Sequence, residues 1–584
     1  MKRYNYLLLT AFALFMNPSC KMLEPEDDNH NTLERVYKDP TFAEGLLLTA
    51  YTVIPTNDYR YDEVATDDAV TNDRANSYLR IANGEWSPRF NPQDIWTSAN
   101  RGILYINQFL SVVNEVPWKW SNPAVKDLYI RKFKGESYAL RAMLKYFLLR
   151  NHGGVGDNGT LLGTPIYDQF VNDRESFESP RPTFEESMNS INADIAEALK
   201  YLPLDYGNVS ALPAGFEGSD ITDYNDVFGD YSQQRMSGRH ALAIKARLAL
   251  LAASPAFNLS NNAALWQNAA TITGDLLTQI GGIDGIDPKG HQFYLKAQVD
   301  EADITTGNKL DNQEMLWRRP IYTDRARETS NFPPSLYGSG RINPTQNLVD
   351  AFPTSNGYPI SDPKSKYDPS KPYENRDPRL GLYIVFNGSK LKNTVINTSE
   401  GSGDNGIEAM PTSTRTGYYL KKLLREDVNV NPNSVSNQKH YNTHIRYTEL
   451  YLNYAEAANE AWGPEGAGSI GFSAKDVIAG LRKRAGIEQP DAYLASITSK
   501  DAMRTLIRNE RRLELCFEGF RFWDLRRWKE NLSEPAKGVR INASGTFNYF
   551  NVEERAYNND FMHYGPIPEI EIIKFGFIQN KGWN

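Results

Sequence analysis

Seven stretches of this chain repeat apolar residues at three- and four-residue spacing, the period of a helix with one buried face. They are residues 135–154, 183–203, 238–257, 264–282, 448–463, 473–486 and 499–519. In the first, Tyr138, Ala142 or Met143, Tyr146 and Leu149 fall along one side, and glycines follow. Thr183 stands three residues before Glu186, and Ser473 three before Asp476, the spacing of capping boxes that start helices. Many of the segments carry alanine on one side, which lets paired helices approach closely. No strict repeat is present, yet the adjacent pairs predict a mainly α fold built from loosely repeated helical hairpins. The helical scaffold is expected over about 35–203, 237–283 and 445–530.

The rest of the chain has another composition. Residues 204–236 and roughly 284–440 are rich in Gly, Asn, Asp, Ser, Pro and Tyr, with short strand-like runs such as LGLYIVF at 380–386. So long a loop-rich section beside a regular scaffold points to function, here a ligand-side region over 284–440 with a C-terminal segment 531–584 behind it. The chain has 584 residues, more than a single core usually serves. Its net charge of −8 supplies no basic field for nucleic acid.

The first residues set the compartment. Lys2 and Arg3 precede an apolar run from Tyr6 to Phe15, too short to span a membrane but suited to a secretion signal. The run ends at Asn17-Pro18-Ser19-Cys20, and acidic residues follow. A cysteine there resembles a bacterial lipoprotein signal, with 1–19 removed and Cys20 acylated. Only Cys516 would remain free, so no intrachain disulfide is expected.

Three motifs suggest chemistry and are set aside on mechanism. GVGDNG at 154–159 has the letters of a dinucleotide fingerprint, but a helix precedes it and LLGTPIYD follows, where the cofactor needs strand then helix. His440 and His444 have a metal-compatible spacing without a glutamate or cysteine partner. RNERRLELCFEGFRFWDLRRW at 508–528 holds three glutamates, six arginines and two tryptophans. Read as a helix, Met503, Leu506, Leu513, Phe517 and Phe520 make an apolar stripe, and Glu510 falls inside it. Glu510 and Glu514 have the spacing of a glycoside-hydrolase acid/base pair. Nearby arginines (508, 511, 512 and 521, with 482 or 484 from the preceding helix) would hold both carboxylates ionised, so structural pairing is favoured over a hydrolase.

That stretch resembles the C-terminal signature of the SusD/RagB family of surface lipoproteins. TELYLNYAEAANEA, GLRKRAGI (480–487), RINPTQNLVDAFPTSNGYPI (341–360), NRDPRLGLYIVFNG (375–388) and the ending PIPEIEIIKFGFIQNKGW (566–583) resemble other segments of that family. The resemblance implies TPR-like helical pairs beside a loop-rich region and a lipid anchor in the outer membrane through Cys20. It implies a SusC-like TonB-dependent transporter as partner and an oligosaccharide, less often a peptide, as ligand. Neither catalysis, cofactor nor metal is expected. Matched by location, the ligand side chains lie in 66–100 and 315–338. Trp86, Trp96, Trp317, Tyr322 and Tyr337 are the candidate stacking platforms, and Asp67, Asp68, Arg80 and Asn100 the candidate hydroxyl partners.

Overall fold

The structure, a computed structural model, describes residues 38–56, 61–119, 122–173, 175–302 and 312–583. Cys20, the expected lipidation site, lies outside them. The periodic segments fold as helices near their expected spans. In chain order the principal helices are α1 (Pro40–Thr52), α2 (Trp96–Val112), α3 (Pro123–His152), α4 (Phe184–Tyr201), α5 (Gly238–Ala253) and α6 (Ala263–Thr278). After the loop-rich region come α7 (Tyr447–Trp462), α8 (Ala474–Ala485), α9 (Lys500–Leu515), α10 (Arg521–Arg527) and α11 (Glu569–Phe575). Each packs on its neighbours in succession: α1 on α2, α2 on α3, α3 and α4 on α5, α5 on α6, α6 on α7, and α7 on α8 and α9. Both expected capping boxes form, with Glu186 N–H donating to Thr183 Oγ1 at 3.1 Å and Asp476 N–H to Ser473 Oγ at 3.2 Å.

Small residues bring these helices close. Ala269 and Ala270 of α6 and Ala455, Ala457 and Ala458 of α7 are fully buried. A Cβ on Gly274 of α6 would sit 2.6 Å from Ile470. GVGDNG becomes a hairpin in which Gly154 faces Leu162 and Val155 faces Leu161, with no helix after the glycines to bind a pyrophosphate.

Between α6 and α7 the chain makes short two-stranded ladders instead of one sheet. The strands that matter for the site are β1 (Ala69–Thr71), β2 (Met315–Arg318), β3 (Tyr322–Asp324), β4 (Ile342–Pro344), β5 (Gln438–His440) and β6 (Thr443–Arg446), with a hairpin of β7 (Ala536–Ile541) and β8 (Phe547–Glu553). β1 pairs antiparallel with β4, β3 with β5, and β2 with β6. LGLYIVF is only partly a strand: Pro378–Tyr383 is helical, behind an Asp377 cap, and Ile384–Val385 is extended. His440 and His444 lie on β5 and β6, where four residues span roughly 13 Å and not one helical turn. His440 Nε2 is 3.5 Å from Glu328, and His444 Nδ1 meets Pro55 O at 3.0 Å, so the two rings serve different neighbours.

Among the described residues, three buried apolar clusters meet at α9 and α10. Met503, Leu506, Ile507 and Leu515 join the helical core, and Leu513, Cys516 and Phe517 join the core of the loop-rich region. Phe522, Trp523 and Leu525 join a third cluster with Trp86 and Trp583. The charged stretch is thus the seam of the molecule. Its ions are mostly internal: Arg527 forks onto Glu456 of α7 at 2.5 and 2.7 Å, and Trp528 Nε1 donates to the same carboxylate at 2.7 Å. Burial alone would raise the Glu456 pKa, but the Arg527 charge and hydrogen bonds, aided by Arg511 and Arg508, bring it down to about 2. A depressed carboxylate stabilises the fold above its unfolded pKa, and that contribution disappears as pH falls towards the folded value. Urea unfolding between pH 6 and pH 2 should therefore show about 3 kcal/mol vanishing from this site below roughly pH 4.5. Glu456→Gln should flatten that acid limb; an unaltered pH profile would contradict the assignment.

Candidate ligand-binding site

The β1–β4 ladder brings 66–100 against residues 342–344, just beyond 315–338. Ala69 faces Pro344 and Thr71 faces Ile342, and Asn72 follows directly. Asn72 Nδ2 donates to Ser339 O at 2.9 Å and Gly340 O at 3.0 Å, while its Oδ1 accepts from Arg341 Nη1 at 3.2 Å. One asparagine therefore ties 66–100 to the residues that directly follow 315–338. Beside this junction Tyr337 ends the turn Pro334–Leu336 at φ +64°, a left-handed conformation unusual outside glycine. The turn is braced on both sides. Asn405 accepts from Ser335 N–H at 3.0 Å and returns a bond to Ser335 Oγ at 2.7 Å. Gly338 lies so close to Phe332 that a Cβ would stand 2.1 Å from its carbonyl oxygen.

Tyr337 is 56% exposed, on a backbone with little freedom. It is an exposed aromatic ring on a constrained turn, just before the Ser339 and Gly340 carbonyls that Asn72 binds, and Asn72, Asp73 and Arg341 are themselves partly exposed. Arg74, mostly exposed, stands 3.6 Å from Glu553 at the end of β8. This combination, a ring face beside short polar groups, can stack the C–H face of a sugar and hydrogen-bond its hydroxyls.

Other predicted platforms are interior. Trp86 is 3% exposed, with Phe522, Tyr557 and Trp583 edge-on at 4.8–6.2 Å, and the Arg526 guanidinium over its ring at 4.7 Å. Trp317, 2% exposed, stacks between His240 at 5.1 Å and His444 at 4.2 Å and donates to Gln234 O. Burial lowers those histidines to about 4 and about 3, so Trp317 sits between neutral rings. Neither tryptophan has a face to offer, because partners distant in sequence cover both.

The predicted acids are also spent internally. Asp67 pairs with Arg512 at 2.9 Å and Arg521 at 2.8 Å, and fully buried Asp68 with Arg512 at 2.5 Å. Arg80 bonds Glu85 at 2.5 Å and lies over Phe90. Tyr322 is half-buried on β3, its hydroxyl donating to Asn442 Oδ1 at 2.9 Å and its ring stacked on His440. Trp96 is the first residue of α2 and is 4% exposed. It does border a small pocket together with Asn100. Asn72, Asp73 and Arg341 were not singled out in the sequence; the glycines of Tyr337-Gly338-Ser339-Gly340 were the available sign of a tight, exposed turn there.

Two family models match the chain. One, described as SusD family, matches residues 305–583, and one described as starch-binding associating with outer membrane matches 22–214. The chain belongs to the SusD/RagB family. A SusD-like protein of Formosa agariphila is 23% identical over 541 residues, 90% of this chain and 92% of the relative. Two solved structures from Bacteroides fragilis share the fold. A SusD-like protein has TM-score 0.70 and 22% identity, covering 96% of this chain and 99% of its own. A SusD-like carbohydrate binding protein has TM-score 0.67 and 20% identity, covering 92% and 98%.

In this SusD/RagB chain the signature carboxylates are structural. Glu510 pairs with Arg482 at 2.8 Å and Arg379 at 2.9 Å; Glu514 pairs with Arg379 at 3.0 Å and Arg484 at 2.9 Å. Both are fully buried. Burial opposes the Glu514 charge, yet Arg484, Arg379 and Arg446 hold Glu514 well below the usual carboxylate range, leaving no proton for acid catalysis. A groove of about 590 Å³ runs beside α9, past Arg504, Arg508, Arg512 and Arg521. Each of these arginines already meets an acid: Glu460, Glu530, Asp67 and Asp68, and Asp67 respectively. The groove therefore holds no uncommitted cation for an anionic ligand.

Proposed function

We propose that this chain captures oligosaccharide at the cell surface, anchored by lipid at Cys20, and passes it to a SusC-like TonB-dependent transporter in the outer membrane. It acts by binding and not by catalysis. The observation that carries the reading is the braced, exposed Tyr337 at the junction of the two loop segments, on the fold of a family that includes a carbohydrate binding protein. Membrane association through the anchor is consistent with the family description, and no helix among the described residues is long and apolar enough to cross a bilayer. Native affinity gels containing starch, laminarin, xylan, mannan or galactan provide the test. At least one polysaccharide should retard the protein without being shortened. Retention on none, with saturable binding of peptides in calorimetry, would replace the glycan by a peptide ligand. Glycan shortening lost in Glu510→Gln, with the fold intact, would instead favour the hydrolase.

A further inference from the structure

The face of α2 that starts with Trp96 builds a second concave feature, open to solvent on one side. Trp96 and Asn100 are one helical turn apart, and they border a pocket of about 280 Å³ with Tyr167, Gln169, Phe177 and Phe575 among its walls. Its shape is held by hydrogen bonds among its own walls and to the helix behind them. Asn107, two turns further along α2, donates from Nδ2 to Tyr167 O at 3.0 Å and Gln169 O at 2.9 Å. Arg141 Nη1 donates to Asp168 O at 2.8 Å, and Tyr167 OH to Phe177 O at 3.1 Å. The walls are therefore pre-formed.

One buried polar atom in these walls is unpaired among the described residues. The Asn100 amide makes no hydrogen bond among the described residues, and its Oδ1 is buried without a partner. Buried polar groups in native proteins are nearly always paired, so an orphan at an aromatic pocket asks for a ligand. The only charged lining groups, Glu571 and Lys574, have opposite signs, which favours a neutral occupant. The volume lies at the small end of ligand pockets, which run from roughly 300 Å³ upward. We propose that this pocket binds a single neutral pyranose ring, its C–H face on the aromatic walls and a hydroxyl on the Asn100 amide. It would be a subsite additional to the Tyr337 surface, and it rests on the glycan reading for its ligand class.

Saturation-transfer NMR with the methyl glycosides of glucose, galactose, mannose and xylose tests the pocket, using the full chain and its Asn100→Leu and Phe177→Ala variants. At least one glycoside should bind the wild type saturably, and its affinity should fall about tenfold or more in each variant that keeps the wild-type melting temperature. Phe177, on the partly exposed wall, carries the test if Asn100→Leu misfolds. Binding of none of the four by the wild type, or equal binding by wild type and folded variants, overturns the pocket. The two readings fail separately. Polysaccharide retention that depends on Tyr337 but not on Asn100 or Phe177 removes the pocket alone. A glycoside lost with Asn100, in a protein no polysaccharide retards, keeps the pocket and removes polysaccharide capture.

Discussion

Arg379→Ala is expected to lower the unfolding free energy by about 3–5 kcal/mol, enough to unfold much of a protein of ordinary stability. Arg379 comes from the loop-rich region and is fully buried. Its guanidinium meets Asp377 at 2.6 Å, Glu510 at 2.9 Å and Glu514 at 3.0 Å, so one side chain bridges three carboxylates across two cores. Removing it leaves Glu510 with Arg482 and Glu514 with Arg484, and leaves Asp377 without its cation. The cost comes from stranded buried charge, which far exceeds the net worth of the pairs themselves. Arg379→Lys should fall between, since an ammonium keeps the charge but cannot fork onto several carboxylates. Glu510→Ala should cost a similar amount by stranding Arg482 and Arg379 in part. Denaturant midpoints with unchanged slope measure both; a loss under about 1 kcal/mol for Arg379→Ala would show that water reaches the network.

This lock was half legible in the sequence. Helical phase put Glu510 inside an apolar stripe, and the cost of an unpaired buried charge required a partner. Arg482 was among those offered. Arginines 508, 511, 512 and 521 were offered too, but they point elsewhere, to Glu530, Asp524, the Asp67–Asp68 pair and Asp67. Arg379 was not foreseen, because it reaches α9 from a segment more than a hundred residues earlier. Local periodicity fixes which face of a helix is buried and says nothing of what arrives to cover it. The site suffered from the same blindness. Trp86 sits in polar, loop-like sequence and Trp317 follows the apolar pair Met315-Leu316; both were offered as platforms, yet Tyr557 and Trp583 close over one and His240 and His444 over the other. Helices, caps and the loop-rich region depend on neighbours in sequence and could be read; ring faces depend on distant ones.

Tyr337 and Trp86 therefore make opposite predictions although both are aromatic residues of the predicted ligand segments. Tyr337→Ala should weaken binding of whichever polysaccharide the protein retains by roughly 30-fold, the about 2 kcal/mol typical of an aromatic hot spot. Its stability should change by less than about 1 kcal/mol, because an exposed ring leaves no cavity and alanine tolerates the left-handed turn no worse than tyrosine. Trp86→Ala should instead cost about 3–5 kcal/mol of stability. It opens a cavity among Phe522, Tyr557 and Trp583 and takes away the ring face over Arg526, a cation buried without a carboxylate partner among the described residues. Burial already pulls Arg526 down to about 10, so it stays charged at neutral pH and depends on the aromatic cage for part of its solvation. The fraction of Trp86→Ala that remains folded should bind like the wild type. Calorimetric titration beside thermal melts separates the two. Wild-type affinity in Tyr337→Ala would remove the Tyr337 surface as the capture site, and loss of affinity without loss of stability in Trp86→Ala would mean that its ring reaches the ligand after all.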